Sequence, residues 1–209
     1  MEHKTTPPAT FPEDNNPSKR VQDVFMLVDT SAGMSGYRIA CVNQAIREMI
    51  PELMNAQRML SSVEIRLALM HYDTTARWFT PDPVPVDMFA FANWSAGGGT
   101  NVAQAFDLLS EKLSRKAFMN APAGHYAPVI ILWTRGESVG GWESQLKKLR
   151  NNRWYSCAKR LAIAVDGEST TPEAMGLLYE FTQNPENIIR GDQPNEIVQS
   201  ILRNFVVFS

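Results

Sequence analysis

Val24-Phe25-Met26-Leu27-Val28 runs without a polar break and then gives way to Asp29-Thr30-Ser31-Ala32-Gly33-Met34-Ser35-Gly36. A short, continuous apolar run is what a β-strand buried on both faces requires, and the polar, glycine-containing octet is the loop that ends it. The same pattern returns at Val129-Ile130-Ile131-Leu132 and at Leu161-Ala162-Ile163-Ala164-Val165. Between these runs the apolar spacing switches to the helical period: Ile39, Val42, Ile46, Met49, Ile50, Leu53 and Leu60, then Val102, Ala105, Phe106, Leu109 and Leu113. Shorter helical patterns follow around Leu146 and Leu149, at Ala174, Leu177, Leu178 and Phe181, and at Ile197, Val198, Ile201, Leu202 and Phe205. Pro51 is expected to kink the first of these helices or to start a new one. Val63 to Tyr72 reads as a further strand, with Ala76 to Phe79 as its hairpin partner across Asp73-Thr74-Thr75. Strands alternating with helices predict a doubly wound α/β domain: a mostly parallel central sheet, helices on both faces, and one antiparallel edge hairpin.

Outside this pattern, residues 1–20 hold only Met1, Ala9 and Phe11 as apolar side chains, with four prolines. Such a segment buries too little surface to offset its chain entropy, so a disordered or arm-like tail is expected over 1–20, and a single domain over 21–209. The chain has 209 residues and a net charge of −2, with a pI near 5.9, which argues against a polyanion-binding protein. Its longest apolar run, seven residues from Ala127 to Trp133, is far below the roughly 20 that a membrane helix needs. The first twenty residues lack the apolar core of a secretory signal. Cys41 and Cys157 make neither a disulfide framework nor a four-ligand zinc site. The expected location is the cytoplasm, with no nucleic-acid and no membrane partner.

Ligands of doubly wound sheets bind beyond the carboxyl ends of the strands. The relevant segments are 29–36, Gly97-Gly98-Gly99-Thr100-Asn101, Thr134-Arg135-Gly136-Glu137-Ser138 and Asp166-Gly167-Glu168. None is a P-loop, a dinucleotide fingerprint or a hydrolase nucleophile elbow, and Ser31 spoils both an aspartic-protease and a phosphatase reading of Asp29. His71 and His125 read as structural polar residues rather than general bases.

Taken together, Asp29-Thr30-Ser31, Gly98-Gly99-Thr100 before a helix, and Leu132-Trp133-Thr134 with Gly136-Glu137 after a strand resemble a von Willebrand factor type A domain. Thr30-Ser31, Met34-Ser35-Gly36, Val42-Asn43-Gln44 and Phe205-Val206-Val207 are similar to the stand-alone bacterial members of tellurium-resistance and stress operons. The resemblance implies a metal-ion-dependent adhesion site, with Asp29 as its first carboxylate, Ser31 as its first hydroxyl ligand and Thr100 as its loop threonine. Two positions depart from that pattern. Gly33 stands where a second ligand serine belongs, and Arg135 stands where the last carboxylate belongs.

A guanidinium stays protonated at ordinary pH. At ~5 Å from a divalent cation its repulsion is about 7 kcal/mol at an effective dielectric near 20. No tightly held metal or other cofactor is therefore expected; Asp29, Ser31 and Thr100 remain as residual ligands for weak magnesium binding. Arg135 either fills the vacant pocket by pairing with Asp29 or Glu137, or receives a partner's carboxylate directly through its planar fork. The expected partner-binding lip comprises Asp29, Ser31, Gly33, Ser35, Thr100, Arg135, Glu137 and Trp142, with Trp94 beside it as a second aromatic anchor. Lys147, Lys148, Arg150, Arg153, Lys159 and Arg160 form a run without an intervening acid, suited to an acidic protein partner.

The resemblance implies a non-enzymatic protein–protein interaction module in a bacterial stress or defence system, with kinases, phosphatases or AAA+ ATPases of the same operon as partners. The alternative is a metal-assisted hydrolase or phosphotransferase using Asp29 and Thr100, which needs a further acid from Asp73, Asp166 or Glu137.

Overall fold

The computed structural model describes residues 19–135, 141–165 and 171–205. In chain order it builds β1 (Arg20–Asp29), α1 (Tyr37–Met59), β2 (Val63–Tyr72), β3 (Ala76–Trp78), β4 (Val84–Pro85), α2 (Val102–Lys112) and β5 (Val129–Thr134). It continues with α3 (Glu143–Arg150), α4 (Arg153–Cys157), β6 (Lys159–Val165), α5 (Pro172–Thr182), β7 (Ile188–Gly191) and α6 (Pro194–Phe205). Among the described residues these strands form one seven-stranded sheet in the order β3-β2-β1-β5-β6-β7, with β4 also paired to β2. The four pairings β1–β2, β1–β5, β5–β6 and β6–β7 are parallel, whereas β3 and β4 run antiparallel to β2 at the edge.

The apolar runs account for this order. Val24, Met26 and Val28 of β1 face a layer built with α1 and α6, where Ile46, Met49, Leu53, Ile197 and Ile201 are buried. Phe25 and Leu27 face the opposite layer, against Phe106 and Leu109 of α2, Leu146 and Leu149 of α3, and Leu177 and Phe181 of α5. A strand whose two faces are both covered has no position for a polar alternation, so the run reads as continuous.

Two expectations need adjustment. Arg20, the last residue of the segment expected to be a tail, already belongs to β1; residues 1–18 of that segment lie outside the described residues. Pro51 sits inside an α1 that runs on to Met59 instead of starting a new helix. The missing hydrogen bond costs about 3 kcal/mol, and burying Ile46, Met49 and Leu53 at roughly 1.5–3 kcal/mol each outweighs it. The short elements α4 and β4 have no periodic signal of their own: Asn152 caps α4 by accepting from the Trp154 and Tyr155 N–H groups, and β4 exists because its backbone pairs with Arg66 and Leu67.

Candidate functional site

β1 and β5 are neighbours in the sheet, with β2 on the other flank of β1, so the chain order reverses between β1 and β5. Val28 stands opposite Trp133, which carries Asp29 and Thr134 side by side to the carboxyl edge. Asp29 is 1% exposed. Its Oδ1 accepts the Ser31 N–H at 2.9 Å, and its Oδ2 accepts the Thr134 hydroxyl at 3.0 Å. Ser31, also buried, precedes the 3-10 turn Ala32–Met34, so its hydroxyl stands at the start of that turn.

The triple-glycine segment is laced to this loop through the backbone. Gly97 N–H donates to Thr30 O at 2.8 Å, and Ala32 N–H donates to Gly98 O at 3.1 Å. From the other side, the β2–β3 turn holds it, with the Thr74 hydroxyl accepting from Gly99 N–H at 2.8 Å. Gly98 has φ +72, and a Cβ there would lie 2.9 Å from Thr74 Oγ1, so both backbone and space demand glycine. Further back, the buried Asn43 of α1 clamps the backbone of residue 94: its Nδ2 donates to Trp94 O at 2.8 Å, and its Oδ1 accepts from Trp94 N–H at 3.0 Å. Asn101 then caps α2 by accepting from Gln104 N–H at 3.1 Å.

These loops enclose a cleft of about 140 Å³ lined by Asp29, Ser31, Gly33, Gly98, Gly99, Thr100 and Arg135. Small-molecule pockets usually occupy roughly 300–1,000 Å³, so this cleft accommodates a side-chain tip or small ion and not a larger substrate. Beneath it lies Tyr72, fully buried. Burial first, and the Asp29 carboxylate second, hold its phenol well above the ordinary tyrosine range, with Thr134 pulling the other way. Among the described residues, no three His, Cys, Asp or Glu side chains come together as a metal-binding group.

The structure thus gathers Asp29, Ser31, Gly33, Thr100 and Arg135 around one cleft. Ser35 is not among the lining residues; it is exposed, and its N–H closes the 3-10 turn on Ala32 O. Glu137 lies outside the described residues, as do Asp166 and Glu168. Trp142 does not line the cleft either. It stands at the start of α3, half-buried, and packs on the apolar layer under α2, α3 and α5. Trp94 is likewise a packing residue, edge-on to Phe79 and Phe91 and stacked on His71 at 5.5 Å. Burial and then Arg77 lower the pKa of His71.

The basic run is also different in space from its appearance in the chain. Lys148 pairs with Asp107 at 3.1 Å, Arg150 pairs with Glu180 at 2.6 Å, and the Arg160 guanidinium lies 5.0 Å from the Tyr155 ring. Two residues to which sequence reasoning assigns no role of their own, Thr134 and Thr74, hold the cleft together. The available signal is a hydroxyl residue closing an otherwise apolar strand or capping a hairpin turn.

No family model matches the chain, and no curated protein matches it in sequence. Among solved structures, the fold is similar to proximal thread matrix protein 1 from the mussel byssus, at 13% identity and a TM-score of 0.60. That match covers 90% of this chain and 48% of the mussel protein, one structure of which has a zinc-occupied MIDAS motif. It is also similar to the pilus adhesin SpaC from Lactobacillus rhamnosus GG (13% identity, TM-score 0.63, 89% of this chain and 29% of the adhesin). A von Willebrand factor type A structure from Catenulispora acidiphila matches at 15% identity and a TM-score of 0.58, over 89% of this chain and 42% of its own. The chain spans about half or less of the length of each. The likeness is one of fold: this is a von Willebrand factor type A-like α/β domain.

Proposed function

We propose that the chain is a non-enzymatic protein-interaction module that receives a protein partner at the carboxyl-edge cleft without a tightly held metal. The observation that carries this reading is the presence of Arg135 on the wall of the same 140 Å³ cleft as Asp29, Ser31 and Thr100. Magnesium takes near-octahedral oxygen ligands and usually a carboxylate. Here Asp29 is the single carboxylate among the lining residues, Gly33 offers no hydroxyl, and the positive charge of Arg135 lines the space. The donor set therefore does not fit the ion, and the cleft is suited to an acidic side chain of a partner, which a guanidinium receives in bidentate fashion. A place in a bacterial stress or defence system, beside kinases, phosphatases or AAA+ ATPases, rests on the sequence resemblance alone.

Titration calorimetry with magnesium and manganese tests the metal-free reading. Wild type is expected to give no tight binding, and Gly33→Ser combined with Arg135→Asp is expected to create it; tight binding by wild type rejects the reading. Capture of partners from the native host with Arg135→Glu tests the location. Loss of a partner seen with wild type supports this cleft, and an unchanged set places the interface elsewhere.

A further inference from the structure

The opposite pole, where the parallel strands begin, carries a second recess. It measures about 300 Å³ and is lined by residues that include Arg115, Met119, Pro122, His125 and Trp154. Its back wall is rigid. His125 Nδ1 meets Asp23 Oδ2 at 2.5 Å, and His125 Nε2 accepts from the Ala121 N–H at 2.8 Å, so both ring nitrogens are engaged within the fold. Half-buried Trp154 stands edge-on to that ring at 5.9 Å and offers an apolar side.

Arg115 lines this recess, and Lys116, Arg153 and Arg20 adjoin its lining residues Arg115, Trp154 and His125. Arg115, Lys116 and Arg153 are exposed, Lys112 lies 4.7 Å over the Phe118 ring, and Lys159 begins β6 beside Pro128. Arg20 completes the rim, fixed by a 3.0 Å bond to His125 O and by its position 4.0 Å over Tyr126. Of the expected docking run, Lys148 and Arg150 are spent on Asp107 and Glu180. By contrast, among the described residues, no carboxylate lies within ion-pair distance of Arg115, Lys116, Arg153 or Lys159. A local excess of cations on a chain of net charge −2 is a directed field and not a general affinity for polyanions.

We propose that this recess is a docking site for an acidic polypeptide segment carrying one apolar side chain, separate from the carboxyl-edge cleft and not dependent on its function. The apolar side chain enters beside Trp154, Met119 and Pro122, where an aromatic anchor concentrates binding energy. The flanking carboxylates meet Arg115, Lys116 and Arg153. Single-stranded nucleic acid fits less well, because it needs successive stacking rings along a groove and this recess presents one.

The test is fluorescence anisotropy with the full chain and a fluorescein-labelled Asp/Glu peptide bearing a single central Phe. A labelled oligothymidylate is titrated in parallel. Saturable peptide binding that weakens with added salt is expected. Arg115→Glu with Lys116→Glu, both on exposed side chains, should weaken it on the order of tenfold or more. Arg190→Glu with Arg203→Glu imposes the same change of net charge at β7 and α6 and should leave it within about twofold. Replacing the peptide's Phe by Ser should weaken wild type and have little effect on Trp154→Leu. Absence of peptide binding, equal losses in the two charge-reversed variants, or tighter binding of the oligothymidylate would each overturn the proposal.

Discussion

Thr134 and Asp29, 105 residues apart in the chain, meet at the ends of adjacent parallel strands, where the threonine hydroxyl donates to Asp29 Oδ2 at 3.0 Å. Both residues are about 1% exposed, so water does not compete for this bond. Together with the Ser31 N–H it fixes the orientation of the one carboxylate among the residues that line the cleft.

Thr134→Val keeps the volume and removes the donor. It is expected to destabilise the domain by about 1–3 kcal/mol, because a buried carboxylate oxygen loses a partner that solvent does not replace. Thr134→Ser, which retains the hydroxyl, is expected to cost less than the valine. Urea unfolding at neutral pH measures both, and a valine variant as stable as wild type, or one that loses less than the serine variant, would show that the hydrogen bond does not set the effect.

The three consecutive glycines differ in what they tolerate. Gly98→Ala places a Cβ in a left-handed backbone at 2.9 Å from Thr74 Oγ1, the acceptor for Gly99 N–H. Backbone strain of about 1–2 kcal/mol is expected, with about 1 kcal/mol more from the displaced hydroxyl. Gly97→Ala meets nothing within 4 Å and should stay within about 0.5 kcal/mol of wild type. Thermal or urea unfolding of the pair checks the contrast, which vanishes if the loop is held by something other than these contacts.

Asp23 predicts a pH dependence. Burial raises its pKa above 3.8, and the bond and charge of His125 counter this only in part. Between the unfolded value and the folded one, the native state binds the proton more firmly, so this group's contribution to stability is complete below about pH 4 and lost as pH rises through the folded value. Asp23→Asn retains an acceptor for the His125 Nδ1–H and does not titrate. Its stability relative to wild type should therefore improve as pH rises from about 3 to about 6. Urea midpoints across that range decide it; parallel profiles, or a trend of opposite sign, would reject a raised Asp23 pKa.

Much of the architecture is legible in the sequence because doubly buried strands leave unbroken apolar runs. Val24–Val28, Val129–Leu132 and Leu161–Val165 therefore locate the centre of the sheet, and their ends locate Asp29 and Arg135. What stays hidden depends on pairing across distance. Asp23 sits inside the first strand, and nothing within a window of neighbouring residues indicates that His125, 102 positions on, closes against it. Thr134 becomes a partner of Asp29 only when β5 is placed beside β1 in register. Tryptophans are ambiguous for a related reason. Trp94 and Trp142 occupy loops and helix starts, where composition suggests an exposed anchor, yet each finds apolar neighbours that a linear reading does not supply.

The clamp made by Asn43 has one further consequence. Both of its bonds go to the main chain of residue 94, and neither involves the indole. From Phe89 to Asn101 the chain has no helix or strand to hold it, so its path near residue 94 is held by an amide on α1 together with the packing of Phe89, Phe91 and Trp94 on the core. Between these anchors, exposed positions such as Ala92 and Ser95 are open to exchange while the route toward Thr100 is preserved. The segment has the properties of a variable rim on a fixed mount, which makes it the natural place to diversify what the domain binds without rebuilding the domain.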